Sequence, residues 1–299
     1  MTHDKTLLAY LALGTGILAL SFSAMFVRWA HAPGPVTAFY RLFFSIFLLL
    51  PFFIPRLMKK NMPIRSGLIL FPLVAGIFTA CDLGLWTASL SYTTAANATL
   101  LGNTAPLWVA LGTWLILKQK LTTAFWRGLS ITLLGAALIM GTDSILHPRF
   151  GIGDTMAIFS GVFYGGYFLF TEQSRRHFDP ISHIWLVGVG ASISLFVANR
   201  MLGYPMSGYP AQTWMVFLAT AVVSQLIGYI SLAYALGQLP ASIVSPTMIL
   251  QPILTALLAI PLLGEIPTIW QGLGGAIALA GIYIVNRSYN ESQIEPRST

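Results

Sequence analysis

Few residues in this sequence carry charge: nine Asp or Glu and sixteen Lys or Arg among 299, or 8%. Soluble domains carry roughly a quarter, so the composition excludes an ordinary soluble fold. Cysteine is nearly absent as well. The single Cys81 excludes an intrachain disulfide and any Cys cluster for zinc or iron–sulfur binding, and it reads as packing. Also missing are H-E-x-x-H, G-x-S-x-G, a phosphate-binding glycine loop and paired aspartates inside apolar runs. His183 is the one histidine in such a run, and it lies near the run's end. These absences speak against catalysis, and neither a cofactor nor a metal is expected.

What the chain has instead is apolar length. Hydrophobic residues make up 56% and the mean hydropathy is +0.75. About 20 apolar residues cross a hydrocarbon core of about 30 Å. Ten such runs occur, near 7–27, 35–54, 67–89, 93–116, 125–142, 153–173, 180–200, 212–235, 241–263 and 270–286. The expected fold is therefore an all-α membrane protein of ten transmembrane helices. Lys5 ahead of the first run imitates a signal peptide, but the run is about 20 residues long, enough to span, so it reads as a retained span.

The formal charge of +7 invites a nucleic-acid reading until the cations are sorted by loop. Lys5, Arg56, Lys59, Lys60, Arg65, Lys118, Lys120, Arg127, Arg175, Arg176, Arg287 and Arg297 share one side, against Arg28, Arg149 and Arg200 on the other. Twelve against three is a positive-inside signal that places both termini in the cytoplasm. The basic excess sets orientation, and no nucleic-acid partner is expected.

Residues 81–106, CDLGLWTASLSYTTAANATLLGNTAP, concentrate polarity where lipid disfavours it. A carboxylate inside a membrane helix costs several kcal/mol and faces a partner or a wet cavity. Asp82 lies about 22 Å up the third span, close to the depth of Arg41, which lies about 9 Å below the outer surface on the second. Two readings stay open: a structural ion pair between Arg41 and Asp82, or a cavity-facing Asp82 that binds a proton or a substrate amine. Trp86 sits one turn above Asp82, and Asn97 on the descending fourth span reaches a similar depth. Trp86 alone reads as an interfacial aromatic, whereas an amide such as Asn97 needs a hydrogen-bond partner in hydrocarbon. Asn103 and Pro106 follow near the midplane, where proline removes a backbone donor and loosens the helix. Asp154 and Glu172 read as interfacial acids at the two ends of the sixth span, and His31 as a solvated turn residue.

Sliding the chain by 146 residues brings Pro106 onto Pro252, Ala95-Ala96 onto Ala241-Ser242, Gly128 onto Gly274 and Gly135 onto Gly281. This implies two diverged repeats of five spans, at 1–142 and 143–299. Five is odd, so the second copy is inverted, as in alternating-access transporters. The second half supplies its own polarity: Gln225 and Tyr229 on the eighth span, and Gln251 beside Pro252 on the ninth. Paired interrupted helices in corresponding positions point to a binding site. The simpler account is that each glutamine bridges neighbouring helices. Gly272, Gly274, Gly275 and Gly281 give the tenth span a close-packing face, which would also serve a homodimer; otherwise the protein is a monomer.

YTTAANATLLGNTAPLWVALGTWLILKQKLT in the first half and LPASIVSPTMILQPILTALLAIPLLGE in the second resemble the two EamA-type repeats of the drug/metabolite transporter superfamily. The resemblance includes Tyr40-Arg41 and the D-L-x-L-W run from Asp82 to Trp86. It departs from the usual Leu-Gly-Glu ending in the first repeat, where Lys118-Gln119 stands. It implies a multi-pass exporter of small metabolites in a bacterial inner membrane, with a cavity lined mainly by spans 1, 3, 4, 6, 8 and 9; Arg41 on span 2 fits that list less well. The expected function is secondary transport of a small amphipathic metabolite such as an amino acid or nucleoside. Protons are the coupling ion expected of a membrane carboxylate, since sodium would want several clustered oxygens. A lipid-carrier flippase or passive channel is the alternative; flippase relatives have half the helices.

Overall fold

The computed structural model of the chain describes residues 3–58, 67–89, 92, 101–140, 151–263 and 269–294, and among these every regular element is helical. The helices are α1 His3–Ser21, α2 Ser23–Ala30, α3 Gly34–Met58, α4 Leu70–Ser89, α5 Ala105–Leu115, α6 Thr123–Met140, α7 Ile152–Arg175, α8 Pro180–Met201 and α9 Ala211–Thr220. A π-helical stretch, Ala221–Tyr229, continues α9 into α10 Ile230–Leu236. Then come α11 Ala241–Thr247, α12 Leu250–Leu263 and α13 Ile269–Ile294.

Seven helical segments among the described residues are long and apolar enough to cross a membrane. Two more, Ala105–Leu115 and Thr123–Leu138, are apolar but shorter. Helix α7 has the length, at 24 residues, but Ser160, Tyr164, Tyr167, Thr171 and Glu172 make it more polar. Its polar residues turn inward: Ser160, Tyr167 and Thr171 are buried. Large apolar side chains such as Leu8, Phe47, Ile193, Phe196 and Leu279 face outward, where lipid tails would solvate them.

Lipid gives apolar helices no hydrophobic reason to associate, so packing depends on close approach and polar contacts. Helix α4 packs between α7 and α8, α8 also meets α3, α5 lies on α7, and α1 lies along the π stretch, α10 and α12. At the crossing of α4 and α8, a Cβ on Gly76 would stand 2.5 Å from the carbonyl oxygen of Val187. Only glycine allows that approach. Helix α6 runs along α13 through facing glycines.

Polar contacts tie the two ends of the bundle. At one end, Thr213 donates to the carbonyl of Ala30 at 2.8 Å and Asn199 to that of Pro35 at 3.0 Å. At the other, Arg56 pairs with Asp179 at 3.1 Å, and Asp179 caps α8 by accepting from the backbone of Ile181 and Ser182. There too Glu172 accepts from the backbone N–H of Ala241 at 2.8 Å, satisfying a donor at the start of α11. Asp154 serves a helix start of its own, accepting from Gly151 N at 2.9 Å.

Among the described residues, apolar helical runs are interrupted at three places: at Phe22 between α1 and α2, at Asn103–Thr104 before α5, and at Met248–Ile249 between α11 and α12. Pro106 and Pro252 fall within the first turns of the pieces that follow, where a missing N–H costs nothing. Each break thus lies just ahead of its proline.

Candidate functional site

Arg41 enters the bundle from α3 and is 7% exposed. Its guanidinium lies over the ring of Tyr229, 5.3 Å from the centroid. Tyr229 ends the π stretch and meets Tyr167 of α7 edge to face at 5.7 Å. π-helical turns recur at functional sites; this one carries both Gln225 and Tyr229. The stack satisfies the face of the guanidinium but not its edge, since Arg41 Nε and Nη2 are enclosed without a hydrogen-bond partner. Tyr167 Oη and Gln225 Oε1 are also buried and unpartnered.

Asp82 comes from α4 and is partly accessible. Its Oδ1 accepts from the Ser160 hydroxyl of α7 at 2.5 Å. Arg41 and Asp82 are near enough for their charges to interact, yet the ion pair that equal depth suggested does not form. Tyr164, one turn beyond Ser160, lies within electrostatic range of Asp82, Arg41 and Tyr229 alike. Two opposite charges from α3 and α4 therefore flank a tyrosine-rich centre, each with a different local partner.

Trp86 is close to Asp82 in space as well as in sequence. A Cβ on Gly102 would stand 3.2 Å from the Trp86 indole and 3.6 Å from the Ser160 hydroxyl. This brings the break at Asn103–Thr104 against the Asp82 corner. Thr104 donates to the carbonyl of Leu101 at 2.5 Å and accepts from the Trp108 indole at 3.1 Å, so the turn's freed backbone has a local partner. Asn103 occupies the turn itself and is partly accessible. Asn97 lies outside the described residues.

Gln251 is engaged elsewhere. Its side-chain amide donates to the carbonyl of Leu20 at 3.3 Å, its backbone carbonyl accepts from the Ser21 hydroxyl at 3.2 Å, and Thr255 donates to the Ser21 carbonyl at 3.1 Å. These contacts serve the break at Phe22 and are the bridging role open to a membrane glutamine. The residues that sequence reasoning missed are Ser160, Tyr164 and Tyr167. Their spacing of i, i+4 and i+7 puts them on one face of a helix, a signal that an inspection for charge and amide alone passes over.

Interrupted helices beside charged side chains inside a multi-pass bundle are a pattern of membrane transporters. The chain belongs to the EamA-like transporter family, whose model matches it twice, over residues 7–141 and 151–287. It is 26% identical to an uncharacterized transporter of Archaeoglobus fulgidus across 68% of this chain and 71% of that protein. It is 25% identical to a probable terminal-alkyne amino-acid exporter of Streptantibioticus cattleyicolor across 64% of each chain. A solved crystal structure shares the fold, with a TM-score of 0.77 at 15% identity, covering 93% of this chain and 97% of that one.

Proposed function

We propose that this transporter is a secondary exporter of a small amphipathic metabolite, working by alternating access between two inverted five-span repeats around a central site. The reading rests on one observation above others: the breaks at Asn103–Thr104 and Met248–Ile249 fall 145 residues apart, each just before the proline that the internal repeat equates. Paired interrupted helices in the two halves of a carrier mark where substrate binds. The ten-span count combines the seven long apolar segments with α5, α6 and α7. The loop charges orient both termini to the cytoplasm of an inner membrane. Asp82, held by Ser160 beside the first break, is the residue assigned to proton coupling, and Trp86, Asn97, Asn103, Gln225 and Tyr229 to the substrate surface. The name of the Streptantibioticus relative favours amino acids over nucleosides as the substrate class.

Reconstitution into liposomes tests this directly. Saturable counterflow of an amino acid or nucleoside is the expected result; a flux linear in concentration would mean a channel, and lipid scrambling without solute exchange a flippase.

A further inference from the structure

Two charges of opposite sign, the buried Arg41 and the partly accessible Asp82, approach each other in this bundle without joining. Opposite charges within a low-dielectric bundle attract strongly, so a direct pair between Arg41 and Asp82 would be the ordinary outcome. Asp82 instead takes a neutral hydroxyl, Ser160, on one oxygen. Arg41 instead takes a ring face, that of Tyr229. A cation over a desolvated ring is favoured, but this leaves the N–H groups of Nε and Nη2 along the guanidinium edge unanswered.

The identity of those groups is informative. Nε and Nη2, both enclosed and unpartnered, are the two nitrogens whose N–H bonds run parallel along one edge. That edge is the fork that grips a carboxylate through two hydrogen bonds. Leaving buried donors unpaired is costly, most of all for charged groups, so a fork preserved in this way needs an explanation outside the pairs the structure forms.

We propose that Arg41 and Asp82 form a two-point clamp for a zwitterion, the guanidinium fork taking a carboxylate and the aspartate an ammonium, with the Trp86 and Tyr164 rings beside the apolar remainder. This deepens the transporter reading and rests on it: the fork is closed in by protein here, so it meets a ligand only when the helices part, as alternating access requires. The clamp excludes nucleosides, which carry no carboxylate. It also supplies a coupling rule, because one carboxylate cannot hold a proton and an ammonium ion together, and export then exchanges with an entering proton.

The test uses the full-length protein in nanodiscs and follows thermal unfolding with L-leucine, 3-methylbutylamine, 4-methylpentanoate and uridine. These are a zwitterion, the same molecule without its carboxylate, the same without its amine, and a nucleoside. Leucine should raise Tm with a half-effect at least about tenfold below that of either truncated analogue, each of which lacks a charge-assisted contact. Arg41→Gln should weaken leucine by at least about tenfold and leave 3-methylbutylamine unchanged. Should Arg41→Gln fail to fold, Arg41→Lys keeps the charge without the fork, and the wild-type series stands alone. Equal half-effects for leucine and the amine, or an unaltered leucine response in a folded Arg41 variant, would overturn the clamp. A response to uridine but not leucine also overturns it and leaves transport standing; silence from all four compounds together with no counterflow of any solute removes both.

Discussion

The carbonyl of Gly281 lies where a side chain on Gly128 would begin, 3.0 Å from a Cβ placed there, and the carbonyl of Gly274 lies 2.6 Å from a Cβ on Gly135. Each contact is the image of the other, because the 146-residue shift carries Gly128 onto Gly274 and Gly135 onto Gly281. A pair of elements that meets through equivalent residues on opposite partners is what a two-fold axis between them produces. The pairing of α6 with α13 thus supports the inverted arrangement, and it takes up Gly274 and Gly281 of the glycines on α13, while Gly272 stands open.

Replacing Gly135 with Leu should be severely destabilising. The atoms nearest to a new Cβ are backbone, Ala278 N at 2.3 Å and Ala278 Cα at 2.7 Å, and they cannot turn aside as a side chain would. A cost at or above the usual 1–3 kcal/mol of overpacking is expected, read as loss of monodisperse protein on heating. Gly272→Leu is the control. Nothing lies within 4 Å of its Cβ, and it should melt with the wild type.

Asp82→Asn should remove the dependence of flux on a pH gradient and, because the aspartate also takes the ammonium, weaken exchange of unlabelled for labelled solute by at least about tenfold. An amide keeps the shape of the side chain and can still accept from Ser160, but it carries no titratable proton. Ser160→Ala is the companion variant: it takes away the 2.5 Å donor and should slow exchange about tenfold while gradient dependence persists. Flux that follows the gradient unchanged in Asp82→Asn liposomes would relieve Asp82 of the coupling role.

The membrane helices were legible because lipid demands long apolar runs, and segment 67–89 ends in the structure where the sequence places it. Asp82 and Arg41 were legible for the converse reason, since a charge in such a run stands out. Their relationship was not legible. Depth along a helix follows from 1.5 Å per residue, but the rotation that turns Asp82 toward Ser160 comes from how α4 seats between α7 and α8, and no local pattern encodes that. The break at Phe22 was hidden as well, because no proline or glycine marks it; it is held by Gln251 and Thr255, more than 200 residues away. The π stretch, likewise, follows an apolar pattern that reads as ordinary α-helix.

Orientation can be read by labelling on a Cys81→Ser background. Gln119→Cys and Ser207→Cys both lie on exposed connections, and the loop charges put the first in the cytoplasm and the second outside. A membrane-impermeant maleimide should modify Ser207→Cys in intact cells and Gln119→Cys only after permeabilisation. The reverse pattern would invert the topology.

The break at Phe22 offers the last test, because its backbone is answered across the bundle. Thr255 donates to the Ser21 carbonyl and Gln251 to the Leu20 carbonyl, both just ahead of the interruption. Thr255→Val preserves the shape of the side chain and deletes one donor. Bonds of this kind contribute about 0.6 kcal/mol on average in membrane bundles and up to about 1.7, so a small fall in melting temperature is expected. Gln251→Leu should cost a similar amount. The double variant should exceed the sum, since both acceptors belong to one turn and losing both leaves no contact to hold it. Strict additivity would mean that the two bonds act independently and that the break is held by α1 and α2 themselves.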